Sequence, residues 1–230
     1  MKLVLFDIDG TILWTDGAGR RAVHAALSDV FGSVGPSGTM FDGKTDRQIV
    51  RELMRLDGHA DAHIDERMDA SIASYVANLQ RELAAPDASP PRLLPGVTTL
   101  LDALEARDDV VLGLLTGNVE PGARAKLAAV GIEFDRFRVN AFGSDHELRP
   151  ELPEIARARG EAALGRPLAG RDVVVIGDTP ADVQCGRGIG ARAIGVATGR
   201  YSTEQLAEHG AAAVFADLTP TLDVVRAVMG

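Results

Sequence analysis

Four short stretches of this chain carry no polar alternation: Leu3 to Ile8, Val110 to Leu115, Val173 to Ile176 and Ala193 to Val196. A strand with one face in water alternates apolar and polar residues, so an apolar run of four to six residues, broken in the first case only by Asp7 near its end, predicts a strand buried on both faces, as in a parallel sheet. The first three runs are followed directly by Gly or a polar turn residue, and the fourth by Ala197-Thr198-Gly199. Helical spacing separates them, with Thr98, Leu101, Leu104 and Glu105 before the second run and Leu152, Ile155, Ala156, Arg159 and Ala163 before the third. Strands alternating with helices specify an α/β fold, a doubly wound, Rossmann-like and mostly parallel sheet.

Residues from about Gly17 to Arg92 break the rhythm. They show helical periodicity in Ala22, Ala25, Ala26 and Leu27, in Ile49, Leu53 and Met54, and in Ile72, Tyr75, Val76 and Leu79, with no buried-strand run. The expectation is an inserted helical domain over 17–92 and a core built from 1–16 and 93–230. Ala85 to Pro95 has the composition of a linker at the far edge of the insertion.

Composition limits the functional classes. With 24 Lys plus Arg against 33 Asp plus Glu, the formal net charge is -9, which opposes binding to a nucleic acid backbone or an anionic membrane. A small charged ligand is compatible, because a local site can oppose the global sign. The single cysteine, Cys185, forms no internal disulfide and favours a reducing compartment, and the opening apolar run is too short for a signal segment or a membrane span. The expectation is a cytoplasmic protein, monomeric or homodimeric. Cys185 reads as a small core hydrophobe, and the five histidines show no ligand spacing.

In open α/β sheets ligands bind beyond the carboxyl ends of the strands. Those ends read Asp7-Ile8-Asp9-Gly10-Thr11, Thr116-Gly117-Asn118 and Gly177-Asp178-Thr179-Pro180-Ala181-Asp182, and a third polar segment, Arg149-Pro150, lies between the last two. Converging strand ends would gather Asp7, Asp9, Asp178 and Asp182 in one pocket, where their repulsion calls for a cation. An all-oxygen donor set selects Mg²⁺. A carboxylate there can attack phosphorus to form an aspartyl phosphate, and a second one on the same strand end can serve as acid and base. The Thr116 hydroxyl and the N–H groups of Gly10, Gly117 and Asn118 are candidates for holding phosphoryl oxygens, with Arg149 stabilising transition-state charge.

These four segments, in this order, resemble the four motifs of the haloacid dehalogenase superfamily, and the likeness spans nearly the whole chain. It implies that Asp7 is the nucleophile and Asp9 the general acid and base that also offers Mg²⁺ its backbone carbonyl. It further implies that Thr116 binds phosphate, Asp178 ligates the metal and Asp182 supports the site from behind. The insertion falls where that family places its helical C1 cap. One departure concerns the third motif, for which the family usually supplies Lys. Lys2, Lys44 and Lys126 are the lysines of this chain, and by sequence position none fits, leaving Arg149 as the substitute.

Gly43-Lys44-Thr45-Asp46-Arg47 resembles the cap segment of phosphoglycolate-phosphatase-like members, which makes Gly43, Lys44, Thr45 and Asp46 candidates for contact with substrate. The same residues also read as a helix start, with Thr45 or Asp46 as the N-cap. Trp14 is either a pocket wall or a packing residue. Together these features imply a Mg²⁺-dependent phosphatase acting on a small phosphorylated metabolite, phosphoglycolate first. The alternatives are a sugar phosphomutase of the β-phosphoglucomutase type, a 2-haloacid dehalogenase, and a non-catalytic phosphoryl-binding module.

Overall fold

A computed structural model describes residues 1–85 and 89–230; the middle of the expected linker, 86–88, lies outside them. The chain opens with strand β1 (Lys2–Phe6), a short strand β2 (Leu13–Trp14) and three helices, α1 (Ala18–Phe31), α2 (Asp46–Leu56) and α3 (Asp61–Ala84). After β3 (Arg92–Leu93), helices and strands alternate: α4 (Val97–Glu105), β4 (Val110–Thr116), α5 (Glu120–Ala129), β5 (Val139–Phe142), α6 (Leu152–Leu164) and β6 (Val173–Gly177). The chain ends with α7 (Pro180–Cys185), β7 (Arg192–Val196), α8 (Thr203–Glu208), β8 (Ala213–Phe215) and α9 (Thr221–Met229).

Six strands form one parallel sheet in the order β5-β4-β1-β6-β7-β8. The chain winds outward from β1 through β4 to β5, returns to β6 on the other side of β1, and winds outward again. Order therefore reverses between β1 and β6, the place where crossovers diverge and leave a crevice at the carboxyl ends. Register fixes what stands there: Phe6 pairs with Ile176 and with Leu114, so Asp7, just past β1, stands one residue short of the level of Asp178 and of Thr116, the last residue of β4.

The apolar runs divide by parity. Val4, Phe6, Leu112, Leu114, Val174 and Ile176 pack on one face with Val97, Leu100, Leu101 and Leu104 of α4 and Val224 and Val228 of α9. Leu3, Leu5, Val111, Leu115, Val173 and Val175 pack on the other with Leu152 and Ala156 of α6. Covering on both faces is why these strands lack polar alternation. Gly113 sits where β4 approaches β5 so closely that a Cβ would stand 1.9 Å from the Val139 carbonyl oxygen.

The three inserted helices form a cap with its own core, which includes Val23 and Leu27 of α1, Leu53 and Met54 of α2, and Met68, Tyr75 and Leu79 of α3. Entry and exit of the insertion are tied together, since β2 and β3 pair antiparallel, Leu13 with Leu93 and Trp14 with Arg92. Asp16 and Gly17, both at positive φ (50° and 84°), turn the chain from this ribbon into α1. Among the described residues no helix is long and apolar enough to cross a membrane.

Placing a methyl group at Gly113 should force β4 from β5. Gly113→Ala is expected to lower unfolding stability by about 1–3 kcal/mol, the usual cost of overpacking, measured by urea denaturation; an unchanged midpoint would show that the two strands can separate freely.

Candidate active site

The carboxyl edge between β1 and β6 holds three buried carboxylates. Asp7, Asp178 and Asp182 each place a carboxylate oxygen within 4.8 Å of the others. Asp7 follows β1 directly. Asp178 follows β6, and Asp182 lies one turn into α7, where it completes a capping box: its Oδ2 accepts from the Thr179 N–H (3.0 Å) and hydroxyl (2.7 Å), while the Thr179 hydroxyl receives the Asp182 N–H.

A buried cation reconciles these charges. Arg149, in the turn before α6, brings one guanidinium nitrogen, Nη2, to Asp7 Oδ1 (3.0 Å), to Asp182 Oδ1 and to the Leu115 carbonyl (3.3 Å). Burial nonetheless pushes the Asp7 carboxyl up to about 6; Arg149 pulls it back, and Asp182 and Asp9 push it further up. Burial and the neighbouring Asp182 and Asp7 also raise Asp178. These carboxylates thus lack positive charge. Asp7 spends Oδ1 on Arg149 and Asp178 receives the Thr11 hydroxyl on Oδ1 at 3.2 Å, which leaves Oδ2 of each without these partners.

A hard divalent cation fits this donor set, with Asp7 and Asp178 as ligands. Backbone is drawn tightly around Asp178: a Cβ on Gly10 would stand 2.3 Å, and one on Gly199 1.8 Å, from its Oδ2. The Gly10 N–H donates to the Leu13 carbonyl (2.9 Å), so what Gly10 supplies here is space, together with a carbonyl that accepts the Thr198 hydroxyl at 2.5 Å.

Asp9 points away from this cluster. Its side chain is 37% exposed and its Oδ2 receives Lys126 Nζ (2.6 Å) and Asn118 Nδ2 (2.8 Å). Asn118 is fully engaged, because its Nδ2 also reaches the Thr116 hydroxyl oxygen (2.8 Å) and its Oδ1 accepts from Lys126 (2.6 Å). Thr116, wholly buried, accepts there and keeps its own O–H proton for another acceptor. Lys126 is the residue that sequence position misjudged. It lies ten residues past Thr116 on α5, whose buried face carries Gly122, Ala123, Lys126 and Leu127, and that face brings the ammonium back over the strand end. A lysine on the apolar stripe of a helix needs a buried anion, and that was the signal available.

The cap closes the site through the start of α2. Thr45 is its N-cap, accepting the Gln48 N–H (3.1 Å) and donating its hydroxyl to the Glu147 carbonyl (2.5 Å). Asp46 is bonded to the core at both ends: its N–H donates to the Gly117 carbonyl and its Oδ2 receives the Val119 N–H, each at 2.8 Å. Gly117 is required at that seam, where a Cβ would stand 2.0 Å from the Lys44 carbonyl oxygen. Arg51 adds a forked ion pair to Glu147 at 2.5 and 2.9 Å. Thr45 thus joins cap to core, while Gly43, Lys44 and Asp46 line the cavity beneath, and Lys44 is paired with Glu52.

That cavity has a volume of about 220 Å³. Asp7, Asp9, Thr116, Gly117, Asn118, Arg149 and Asp178 form its floor, with Lys126 among them, and Trp14, Arg20, Phe41, Ile49, Tyr75 and Arg200 contribute to its walls. Trp14 is both ribbon residue and wall. Cys185 lies outside, its thiol pushed up to about 12 by burial, inert as a nucleophile. The His59 and His63 rings stack at 5.1 Å with Arg67 on His63 Nδ1, and among the described residues the acidic trio is the cluster suited to a metal.

Residues 4–187 match the model of the haloacid dehalogenase-like hydrolase family. The chain belongs to this family of hydrolases. It is 26% identical over 215 residues to glycerol-1-phosphate phosphohydrolase 2 of Saccharomyces cerevisiae, covering 91% of this chain and 80% of that protein. Its fold is similar to CbbY from Rhodobacter sphaeroides, solved with phosphate (TM-score 0.71, 21% identity, 97% of this chain and 99% of that one). It is also similar to a predicted phosphoglycolate phosphatase from Haemophilus somnus (TM-score 0.70, 20% identity, 98% of each).

Burial pushes the Asp46 carboxyl up to about 6, opposed by the Lys126 charge and the Val119 N–H. A carboxyl that holds its proton more tightly folded than unfolded stabilises the fold below about pH 4, and that contribution is lost as pH rises through about 6. Asp46→Asn, which keeps an acceptor for Val119, should therefore gain stability relative to wild type between pH 4 and 6, by about 3 kcal/mol at most. Parallel denaturant titrations across that range check this, and a pH-independent difference contradicts it.

Proposed function

We propose that this haloacid dehalogenase-like hydrolase is a Mg²⁺-dependent phosphatase of small phosphate monoesters, phosphoglycolate foremost, working through an aspartyl phosphate on Asp7. The observation that carries the reading is that two carboxylates two residues apart are held by different cations at the floor of one small cavity. Asp7 is tied to Arg149 and Asp9 to Lys126. Two such groups suit two roles, one that stays on phosphorus and one that moves a proton.

Asp7 Oδ2, unused by Arg149, is the attacking oxygen. It forms a bond to phosphorus as the ester oxygen departs in line, and Asp9, in its acid form, gives that oxygen a proton. Asp9 as carboxylate then takes a proton from water, the water oxygen attacks the phosphoryl group, and phosphate leaves with Asp7 restored. The free Thr116 proton is directed to a phosphoryl oxygen, with the Gly117 and Asn118 loop beside it. Lys126 and Asn118 hold the Asp9 carboxylate in one orientation between these steps. Arg149 offsets the charge on Asp7 and fixes Asp182 behind it. A Mg²⁺ ion held by Asp7, Asp178 and the Asp9 carbonyl would offset the charge of the phosphate as it meets a carboxylate. We place the core at 1–16 and 93–230 and the cap at 17–92, with Thr45, Asp46 and Arg51 closing the cavity against bulk water.

A cavity of about 220 Å³ falls below the 300 to 1,000 Å³ usual for larger ligands and supports a compact substrate. The names of the relatives, a glycerol phosphate phosphohydrolase and a predicted phosphoglycolate phosphatase, support the same class.

Phosphate release from a panel of small monoesters, phosphoglycolate included, tests this. Turnover should require Mg²⁺, vanish with EDTA and vanish in Asp7→Asn; turnover that survives either treatment contradicts the mechanism, and sugar phosphate interconversion without phosphate release points to a mutase. Asp9→Asn should lower kcat by roughly 10²- to 10⁴-fold. Lys126→Met should lower kcat by less, roughly 10- to 100-fold, at nearly constant KM, and an unchanged kcat would remove Lys126 from the machinery.

A further inference from the structure

The walls of the cavity carry a charge that its floor does not answer. Four of its cations already have acidic partners: Arg149 has Asp7 and Asp182, Lys126 has Asp9, Lys44 has Glu52, and Arg200 has Asp42 at 3.7 Å. Arg20, at the start of α1, lines the same cavity and makes no salt bridge among the described residues. Its guanidinium lies 3.8 Å above the centre of the Phe41 ring and donates one Nη2 hydrogen to the Thr39 carbonyl at 3.0 Å. The His24 ring stacks on Phe41 with its centre 6.0 Å away. The guanidinium is thus held in place by stacking and one backbone bond, with its remaining donors unspent.

We propose that Arg20 is the specificity-determining residue of this site, binding a second anionic group, a carboxylate or a phosphate, at the end of the substrate remote from the reacting phosphoryl group. The inference rests on the phosphatase reading for the identity of the first group. A neutral ester would leave Arg20 facing the cavity without a counter-charge once the cap is shut. An anionic end would take two of its N–H donors in a fork, the geometry in which guanidinium binds carboxylate or phosphate best. Asp42, whose Oδ2 is buried in the wall without a hydrogen-bond partner, does not cancel this preference, because the Arg200 guanidinium stands beside it. Since Arg20 belongs to the cap, the anion is read only with the cap closed over the floor.

The test compares substrates with and without the remote anionic group: phosphoglycolate against ethyl phosphate, and 1,3-propanediol bisphosphate against propyl phosphate. Wild type should prefer the doubly anionic member of at least one pair by roughly 10- to 100-fold in kcat/KM. The pair that discriminates tells carboxylate from phosphate. Arg20→Gln should erase that preference by lowering kcat/KM for the doubly anionic member far more than for its neutral partner, and Arg20→Lys should restore part of it. Equal preference in wild type, or equal loss on both members in Arg20→Gln, overturns the assignment. Binding of the same esters with Mg²⁺ to Asp7→Asn, with and without Arg20→Gln, separates the two proposals. A binding preference erased by Arg20→Gln, together with no phosphate release from these esters by the protein with Asp7 intact, would sink the phosphatase reading and leave Arg20 standing. Phosphate release without any preference does the reverse.

Discussion

Three carboxylates within 4.8 Å of one another cannot share a buried edge without positive charge among them, and the bridge from Arg149 to Asp7 and Asp182 is the part of that charge the chain supplies itself. The architecture around it follows. Asp182 can stand so close to Asp178 because it is the second half of a capping box that starts α7. Arg149 can reach both partners because the turn before α6 begins beside the carboxyl end of β4, where the Leu115 carbonyl takes part of its donor capacity. One guanidinium nitrogen does not neutralise the trio, and burial keeps the Asp7 and Asp178 carboxyls raised beside it.

A second ion pair separates the two carboxylates of the β1 end. Were Asp9 to share Arg149 with Asp7, the strand end would hold two equivalent carboxylates. Instead Lys126 and Asn118 draw Asp9 toward the cavity, half in solvent, while Asp7 stays buried. Cap and core meet on the same loop: Asp46 is bonded to Gly117 and Val119, immediately flanking Asn118. The cap therefore touches the loop that holds Asp9, and Arg20 belongs to that same cap.

Much of this was legible in the sequence, and the limits have physical causes. The four apolar runs announced β1, β4, β6 and β7 because strands covered on both faces cannot alternate. Two edge strands escaped notice. β5 is interrupted by Asn140, whose side chain leaves solvent to bond the Leu114 N–H, and β8 is three half-buried residues. The acidic strand ends were readable since parallel strands must present them at one edge. Lys126 was not, because its place depends on how α5 folds back over β4, a tertiary fact that spacing along the chain conceals. The segment from Gly43 to Asp46 was ambiguous in principle, and Thr45 is indeed spent on the helix start while Asp46 joins cap to core.

Reductive trapping reads the proposed covalent bond between Asp7 and phosphorus directly. Acid quenching during turnover of a small phosphate monoester, followed by borohydride, converts an acyl phosphate to the alcohol, so peptide mass spectrometry should find homoserine at position 7 in the substrate-treated protein and aspartate there in its absence. Homoserine at another carboxylate, or an unaltered Asp7 in a protein that is releasing phosphate, would contradict the account.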